Sequence, residues 1–333
     1  SRRLPCRDGA QGRKGGPMTQ LTAILLSRLA SACLTLFGVA VIVFAAIRAL
    51  PGDITSVLAP RGPATLRAEI IEKFGLDQPA PVQFAKWLGA ALRGDFGNSL
   101  ITQEPILDTL AARLPVTLEL TGIALAMSLL VGSWLGISSA MHHQRALGAG
   151  IGNVVSSLLM SIPDFVLGSM LLYLFSRYGL GLTVGQWVGP GQDFVGHLRA
   201  VVLPAFTLSV LGIGLFAVTA RNAVLAVLSQ DFIGTAVSRG MTPMQILRHH
   251  ILRNIAIPMV TTFTLCAGYM VGGAVIVETL FSIPGLGRML IQAVLNRDYP
   301  TIQVAVLLIA AFIVIMNMCA DVLNRMIDPR LRK

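Results

Sequence analysis

Six stretches of this chain are nearly free of ionisable side chains, and each is long enough to cross a lipid bilayer. Five contain none at all: Leu29 to Ile47, Leu120 to Met141, Ala200 to Ala220, Asn254 to Val277 and Tyr299 to Ala320. They run 19, 22, 21, 24 and 22 residues, where a helix crossing hydrocarbon needs about 20. The sixth, Ala146 to Ser176, has 31 residues and a single charge, Asp164. Lipid offers backbone groups no partners, so a run of this length pairs its own N–H and C=O groups as a helix. The pattern predicts an all-α integral membrane protein with six transmembrane helices. With 54% apolar and 13% charged residues, the chain is too apolar to be disordered and lacks both a disulfide-scaffold cysteine pattern and the short alternating segments of a β-barrel.

The net charge of +10 would suggest nucleic acid in a soluble protein, but here it follows topology. With six spans both termini share one side. That side holds six Lys and Arg before the first span, Arg145, four between Arg221 and Arg253, and four after the last span. The short loops opposite hold two each, Arg177 with Arg199 and Arg288 with Arg297. The long segment 48–115 carries seven basic and seven acidic residues and is neutral. The positive-inside rule therefore puts both termini in the cytoplasm. Residues 1–17 are polar, basic and Gly-rich, and read as a disordered leader or an appended remnant. Of the four cysteines (Cys6, Cys33, Cys266, Cys319), three fall within spans, and no spacing suggests a disulfide or a metal site.

Residues 18–333 form one membrane domain with two elaborated loops. In the extracytoplasmic segment 48–115, Leu66 to Phe74 reads as a short helix ending at Gly75. A second follows from the spacing of Phe84, Trp87, Leu88, Ala91 and Leu92, up to Gly94. In the cytoplasmic segment 221–254, Gly240 can end one helix, and Thr242-Pro243-Met244-Gln245 can start another. Threonine caps, proline is tolerated at the first helical position, and glutamine three residues past the cap closes a capping box. Small residues and prolines punctuate the spans at Gly132, Gly136, Pro163, Pro204, Gly212, Gly214, Gly268, Gly272 and Gly273. They serve close helix packing or a broken, mobile translocation path.

Catalytic chemistry finds no support. The nearest approach to a phosphate-binding loop, Gly191 to Gly196, is followed by His197-Leu198 and lacks the lysine and hydroxyl that ATP requires. An intramembrane serine protease needs a histidine within the bilayer, and all five lie outside the apolar runs; an aspartyl protease needs two deep carboxylates, and only Asp164 is deep. Glu119 and Glu278 are expected near the outer interface, where a carboxylate is cheap, to anchor or pair. Asp164 follows Pro163, where the helix should be interrupted. At that depth a charge needs a partner or a wet cavity, so it either caps the broken helix or lines a polar path.

The cytoplasmic loop then becomes specific. It runs Asp231-Phe232-Ile233-Gly234-Thr235-Ala236, then Gly240, then His250-Ile251-Leu252-Arg253-Asn254 and Pro258. This resembles the "EAA" loop of ABC importer permeases in its peptide-transporter form, with Gly234-Thr235-Ala236 where the general family has Glu-Ala-Ala. Further matches cover nearly the whole chain from Met18. They are Arg48-Ala49-Leu50-Pro51-Gly52-Asp53, Gly75-Leu76-Asp77-Gln78-Pro79, Gly94-Asp95-Phe96-Gly97-Asn98-Ser99 and Arg113-Leu114-Pro115-Val116-Thr117-Leu118-Glu119-Leu120. Near the end come Val277 to Gly287, Asn296-Arg297-Asp298-Tyr299-Pro300 and Asp328-Pro329-Arg330. In order and spacing these resemble the first permease subunit of dipeptide, oligopeptide, glutathione and nickel ABC importers.

The resemblance implies a type I ABC importer permease fold in the bacterial inner membrane. It also implies a heterodimer with a second homologous permease, two ATPase subunits carrying ATP and Mg²⁺, and an extracytoplasmic substrate-binding protein. Nucleic acid is no partner, and the chain itself binds no cofactor and is no enzyme. By the resemblance, Asp231, Thr235, Ala236, Gly240, Thr242, Pro243, His250, Arg253 and Asn254 form the ATPase-coupling loop, with Asp164, Pro163 and Glu278 on the translocation path. Peptides are the expected substrate, with a nickel chelate or glutathione as alternatives. A secondary transporter driven by an ion gradient and a membrane scaffold are the readings from other classes.

Overall fold

A computed structural model describes residues 17–49, 77–142, 146–179, 181–182, 185 and 187–327. Residues 1–16 of the leader, the Leu50–Asp53 and Leu66–Phe74 patterns, Arg145 and the Asp328-Pro329-Arg330 tail lie outside the described residues. In chain order the helices are α1 (Pro17–Ala49), α2 (Ala80–Ala91), α3 (Ile106–Met141), α4 (Ala146–Ser161) and α5 (Asp164–Tyr178). They continue with α6 (Phe194–Leu228), α7 (Asp231–Ser238), α8 (Pro243–Ile246), a π-helical turn over Leu247–Ile251, α9 (Leu252–Leu280), α10 (Leu286–Leu295) and α11 (Tyr299–Ile327). Among the described residues the only β pairing is an isolated bridge between Asn98 and Pro105.

Among the described residues five helical segments are long and apolar enough to span a membrane, and Val154–Ser161 with Asp164–Tyr178, bent by 89° at the break between them, makes six where the pair counts as one span. The helices outrun the charge-free stretches. Thus α3 begins at Ile106 and carries Asp108, Arg113 and Glu119 before its apolar part. Charge marks where hydrocarbon ends, not where backbone hydrogen bonding ends. Pro115, Pro204 and Pro258 lie inside continuous helices. At Pro163 the chain breaks, because this residue takes an extended ψ of 138°.

The core is organised around α6, whose buried face includes Leu203, Leu208, Phe216, Ala217, Ala220 and Val224. Helix α3 lies along it as its most extensive partner. The approach is so close that a Cβ on Gly132 would come within 2.6 Å of the Ile213 carbonyl oxygen, and one on Gly136 would overlap the Ala217 carbonyl. Ser128 Oγ donates across the pair to the Ser209 carbonyl at 2.9 Å. On another side α9 packs with buried Cys266 and Met270, joined through a 3.1 Å hydrogen bond from Thr262 to Thr219. Helix α4 reaches α6 at Gly214, where a Cβ would meet the Met160 side chain at 2.6 Å. Small residues here replace the hydrophobic driving force that lipid removes, since close contact and short interhelical hydrogen bonds must hold the bundle.

Helices α1 and α11 are peripheral. The ion pair Arg28–Asp321 (2.6 Å) sets the start of α1 beside the end of α11. Helix α2 folds back on α1 through Phe84, whose ring meets Phe37 and Phe44 at centroid distances of 6.0 and 5.3 Å. Arg48 lies over the Phe44 ring and donates to Gln83.

Gly136→Leu should lose the folded bundle, because the obstacle is a backbone carbonyl that has no rotamer to yield. Overpacking of this kind costs about 1–3 kcal/mol where side chains can yield, and here the cost should reach or exceed the top of that range. Thermal unfolding in detergent, with Gly122→Leu on the open face of α3 as control, reads the difference.

Candidate functional site

Two places hold all the residues singled out by sequence except Glu278: the segment joining α6 to α9, and the break between α4 and α5. In the first, α7 buries Ile233 and Ala236 and exposes the rest. Those two side chains, with Ile246, Ile251 and Ile255, extend the α6 core into the segment. The helix ends in a Schellman arrangement. Gly240, at φ +79°, donates to the Val237 carbonyl (2.9 Å), and Met241 N donates to the Ala236 carbonyl (3.2 Å). A non-glycine residue in this left-handed region costs about 1–2 kcal/mol. One residue later Thr242 caps α8, with Pro243 first in the helix. Gln245 N donates to Thr242 Oγ1 (3.4 Å), and Thr242 N donates to Gln245 Oε1 (2.8 Å). The glycine stop and the capping box expected from sequence are both present.

A π-helical turn then joins α8 to α9 over Leu247–Ile251. It sets His250 against the Phe232 ring of α7 at 5.7 Å, and Asn254 Nδ2 donates to the His250 carbonyl at 2.6 Å. Asp231, Thr235 and Arg253 are exposed, and Thr235 Oγ1 donates to the Asp231 carbonyl at 3.5 Å. The rim so presented is apolar and basic: Phe232, Val237 and Met244 are 44%, 57% and 63% exposed, beside Arg239, Arg248 and Arg253 with Asp231 as the nearby acid. The π turn was not legible in sequence, since Leu-Arg-His-His-Ile carries no helix breaker.

At the second place Asp164 opens α5 immediately after the bend, buried at 7% exposure. Tyr269 of α9 donates its hydroxyl to Asp164 Oδ2 at 2.6 Å. Gly273, one turn on, keeps space open beside it, since a Cβ there would lie 3.4 Å from the same oxygen. Pro163 and Asp164 therefore do meet at a broken helix. The phenol partner was missed, because 105 residues separate the pair and tyrosine is unremarkable in a span.

Glu278 departs from the sequence expectation. It is not at a wet interface but fully buried, at 0% exposure. Its Oε1 accepts from Thr117 Oγ1 (2.6 Å) and its Oε2 from Arg288 N (3.0 Å), while Thr117 Oγ1 itself accepts from Leu286 N (2.8 Å). Gly285 and Gly287 leave no side chain to displace the carboxylate. The chain after α9 folds back over its own last turn, which is why a residue near a span end becomes interior. Asp298 does the same nearby, accepting from Ser99 Oγ (2.6 Å), Leu100 N (3.1 Å) and Thr301 Oγ1 (2.7 Å). Glu119 pairs with buried His197 at 2.7 Å. Among the described residues no group of three His, Cys, Asp or Glu could hold a metal ion, and Cys33, Cys266 and Cys319 are free.

Residues 132–333 match the model of the binding-protein-dependent transport system inner membrane component, and residues 21–121 match its N-terminal companion. The chain belongs to that family. The permease is 36% identical to a probable peptide ABC transporter permease of Sinorhizobium fredii over 309 residues, 92% of this chain and 98% of the other. It is 34% identical to a putative peptide transport system permease of Brucella abortus (94% and 99% covered) and 35% identical to the glutathione transport system permease of Salmonella paratyphi A (92% and 98%). In fold it is similar to a chain of the inward-facing methionine ABC transporter MetNI, with TM-score 0.56, 18% identity and coverage of 68% of this chain and 99% of that one. An amino acid ABC transporter gives TM-score 0.50 at 16% identity, covering 66% and 94%. The expected fold class, a type I ABC importer permease, is the one observed, and the permease is an inner-membrane component.

Tyr269→Phe should loosen the contact between α5 and α9 by about 1 kcal/mol, the scale of an interhelical hydrogen bond in membrane proteins. Thermal unfolding of the detergent-purified permease measures it, and Asp164→Asn combined with Tyr269→Phe should cost no more than either change alone.

Proposed function

We propose that this permease is a translocation subunit of an ATP-driven importer for di- and oligopeptides or peptide-like solutes. It pairs with a second homologous permease, two ATPase subunits that bind ATP and Mg²⁺, and an extracytoplasmic substrate-binding protein. Both termini and the Asp231–Asn254 segment face the cytoplasm. The observation that carries the reading is the construction of that segment. A Schellman stop at Gly240 and a capping box at Thr242 join two short helices through a tight turn. Ile233, Ala236, Ile246 and Ile251 weld them to the α6 core, leaving Phe232, Val237 and Met244 exposed for a partner groove.

This arrangement transmits force. A push on α7 reaches α6 through buried contacts, and a push on α8 reaches α9 through one continuous helical run. Closure of the ATPases would thereby rock the helices and alternate access, while the chain performs no chemistry itself. Peptide substrates are supported by the relatives named as peptide and glutathione permeases. Asp164 and Pro163, at the bend between α4 and α5, belong to the translocation path in this reading, since a bend of 89° beside a buried carboxylate is where helices can part and a polar solute can be met. Glu278 serves instead as a fixed fastening of the outer end.

Gly240→Asp should uncouple hydrolysis from import. Reconstituted complexes should lose uptake by about 5- to 30-fold, the factor matching 1–2 kcal/mol of backbone strain at the turn, while the bundle stays folded. Normal uptake and normal substrate-stimulated ATPase in that variant would refute the coupling role. For the path, Asp164→Asn should lower the rate of peptide uptake or shift its dependence on substrate charge; unchanged rate and unchanged dependence in proteoliposomes would remove Asp164 from it.

A further inference from the structure

Three carboxylates are buried among the described residues: Asp164, Glu278 and Asp298. Two of them are filled from within the chain. Glu278 accepts from Thr117 and the Arg288 backbone and feels the charge of Arg113. Asp298 accepts from Ser99, Leu100 and Thr301. Asp164, 7% exposed at the bend between α4 and α5, has one donor, the Tyr269 hydroxyl on Oδ2 at 2.6 Å. Its Oδ1 accepts from no described residue and stays open to its surroundings. No described Lys, Arg or His forms an ion pair with it or acts on it through its charge.

An oxygen so placed cannot face hydrocarbon, where a carboxylate is costly, so its open side meets water or a polar group. There is room for one. A Cβ on Gly273 would stand 3.4 Å from Oδ2, and one on Gly272 would meet nothing within 4 Å. Two acceptors are on offer at this spot. One is Oδ1; the other is the Tyr269 oxygen, whose proton already goes to Oδ2 and whose lone pairs remain free to accept. Acceptors grouped around a negative charge select a group that is positive and donates only. A metal ion needs more ligands than these, and among the described residues no group of three His, Cys, Asp or Glu could hold one. An ammonium, with three donors and no acceptor, fits.

We propose that Asp164 receives the α-ammonium of the passing peptide, so that the permease itself selects solutes with a free N-terminus. The inference rests on the importer reading above, which supplies a peptide as solute; every unblocked peptide carries this group whatever its side chains. Tyr269 is a positioning residue. By occupying Oδ2 it holds the carboxylate in place and leaves Oδ1 to the solute.

A binding protein makes its own choice of solute, so the test leaves it out. The detergent-purified complex of permeases and ATPases is titrated by equilibrium dialysis with a radiolabelled tripeptide of neutral side chains and with its N-acetyl form. The wild type should bind the free form about tenfold more tightly, the lower end for a hydrogen bond to a charged group. Asp164→Asn should bring the free form down to the level of the acetylated one. Where that variant disturbs the bend, Tyr269→Phe keeps the carboxylate and should narrow the preference without abolishing it. A wild type that binds the two forms alike, or binds neither, overturns the proposal, as does a preference that survives in both variants. An N-acetyl peptide containing lysine that binds as tightly as the free form would overturn selection of the N-terminus. Uptake into proteoliposomes with the binding protein restored separates the two readings: uptake without the preference sinks the ammonium site alone, and no ATP-dependent uptake of any peptide sinks the importer reading with it.

Discussion

The closeness of α3 to α6 is the constraint on which the rest of the molecule depends. Lipid tails are as apolar as leucine, so helices in a bilayer gain little from burying greasy faces against one another. What holds them is contact at short range. Gly132 and Gly136 let the α3 backbone reach α6 over a full turn, and the Ser128–Ser209 hydrogen bond adds a polar tie within that contact. With α6 so fixed, α4 can seat at Gly214 and α9 can cross beside Thr219. Everything that must move or bind is then hung on a rigid centre.

From that centre the two ends of the bundle differ in construction. One end projects helices α7 and α8 on a glycine stop and a threonine cap, with their apolar undersides merged into the core and their rim exposed. The other is fastened by two buried carboxylates. Glu278 binds the chain following α9 to α3 through Thr117, and Asp298 binds the start of α11 to the Ser99 turn. Each is compensated for burial by hydroxyl and backbone donors, and Glu278 also by the nearby charge of Arg113. Arg113 lies close to both, lining one cleft with Asp298 and interacting electrostatically with Glu278. Between the two ends lies the Pro163 break, with Asp164 held by Tyr269.

The sequence motifs acquire a common explanation in these fastenings. Gly94 to Ser99 and Asn296 to Pro300 are distant in the chain yet meet at Asp298. Arg113 to Leu120 and Val277 to Gly287 meet at Thr117 and Glu278. In sequence each of these looked like an isolated signature, and Glu278 looked like a surface carboxylate, because its neighbours along the chain are those of a span end. Only the return of residues 281–288 over α9 makes its surroundings dry. Tyr269 and the π turn were likewise invisible, the first because its partner is more than a hundred residues away, the second because π geometry depends on packing and carries no residue signature.

What the sequence determined by itself was whatever depends on local chemistry. Runs without charge dictate helices of bilayer length, Pro163 stops one of them, and Gly240 with Thr242 and Gln245 dictates a turn and a cap from interactions spanning at most five residues. Tertiary structure decided the rest: which small residues face which backbone, that Glu278 and Asp298 are fasteners, and that Asp164 answers to Tyr269. Each of those is a statement about two groups far apart in the chain and less than about 4 Å apart in space, a distance at which hydrogen bonds and ion pairs act, and no local pattern encodes it.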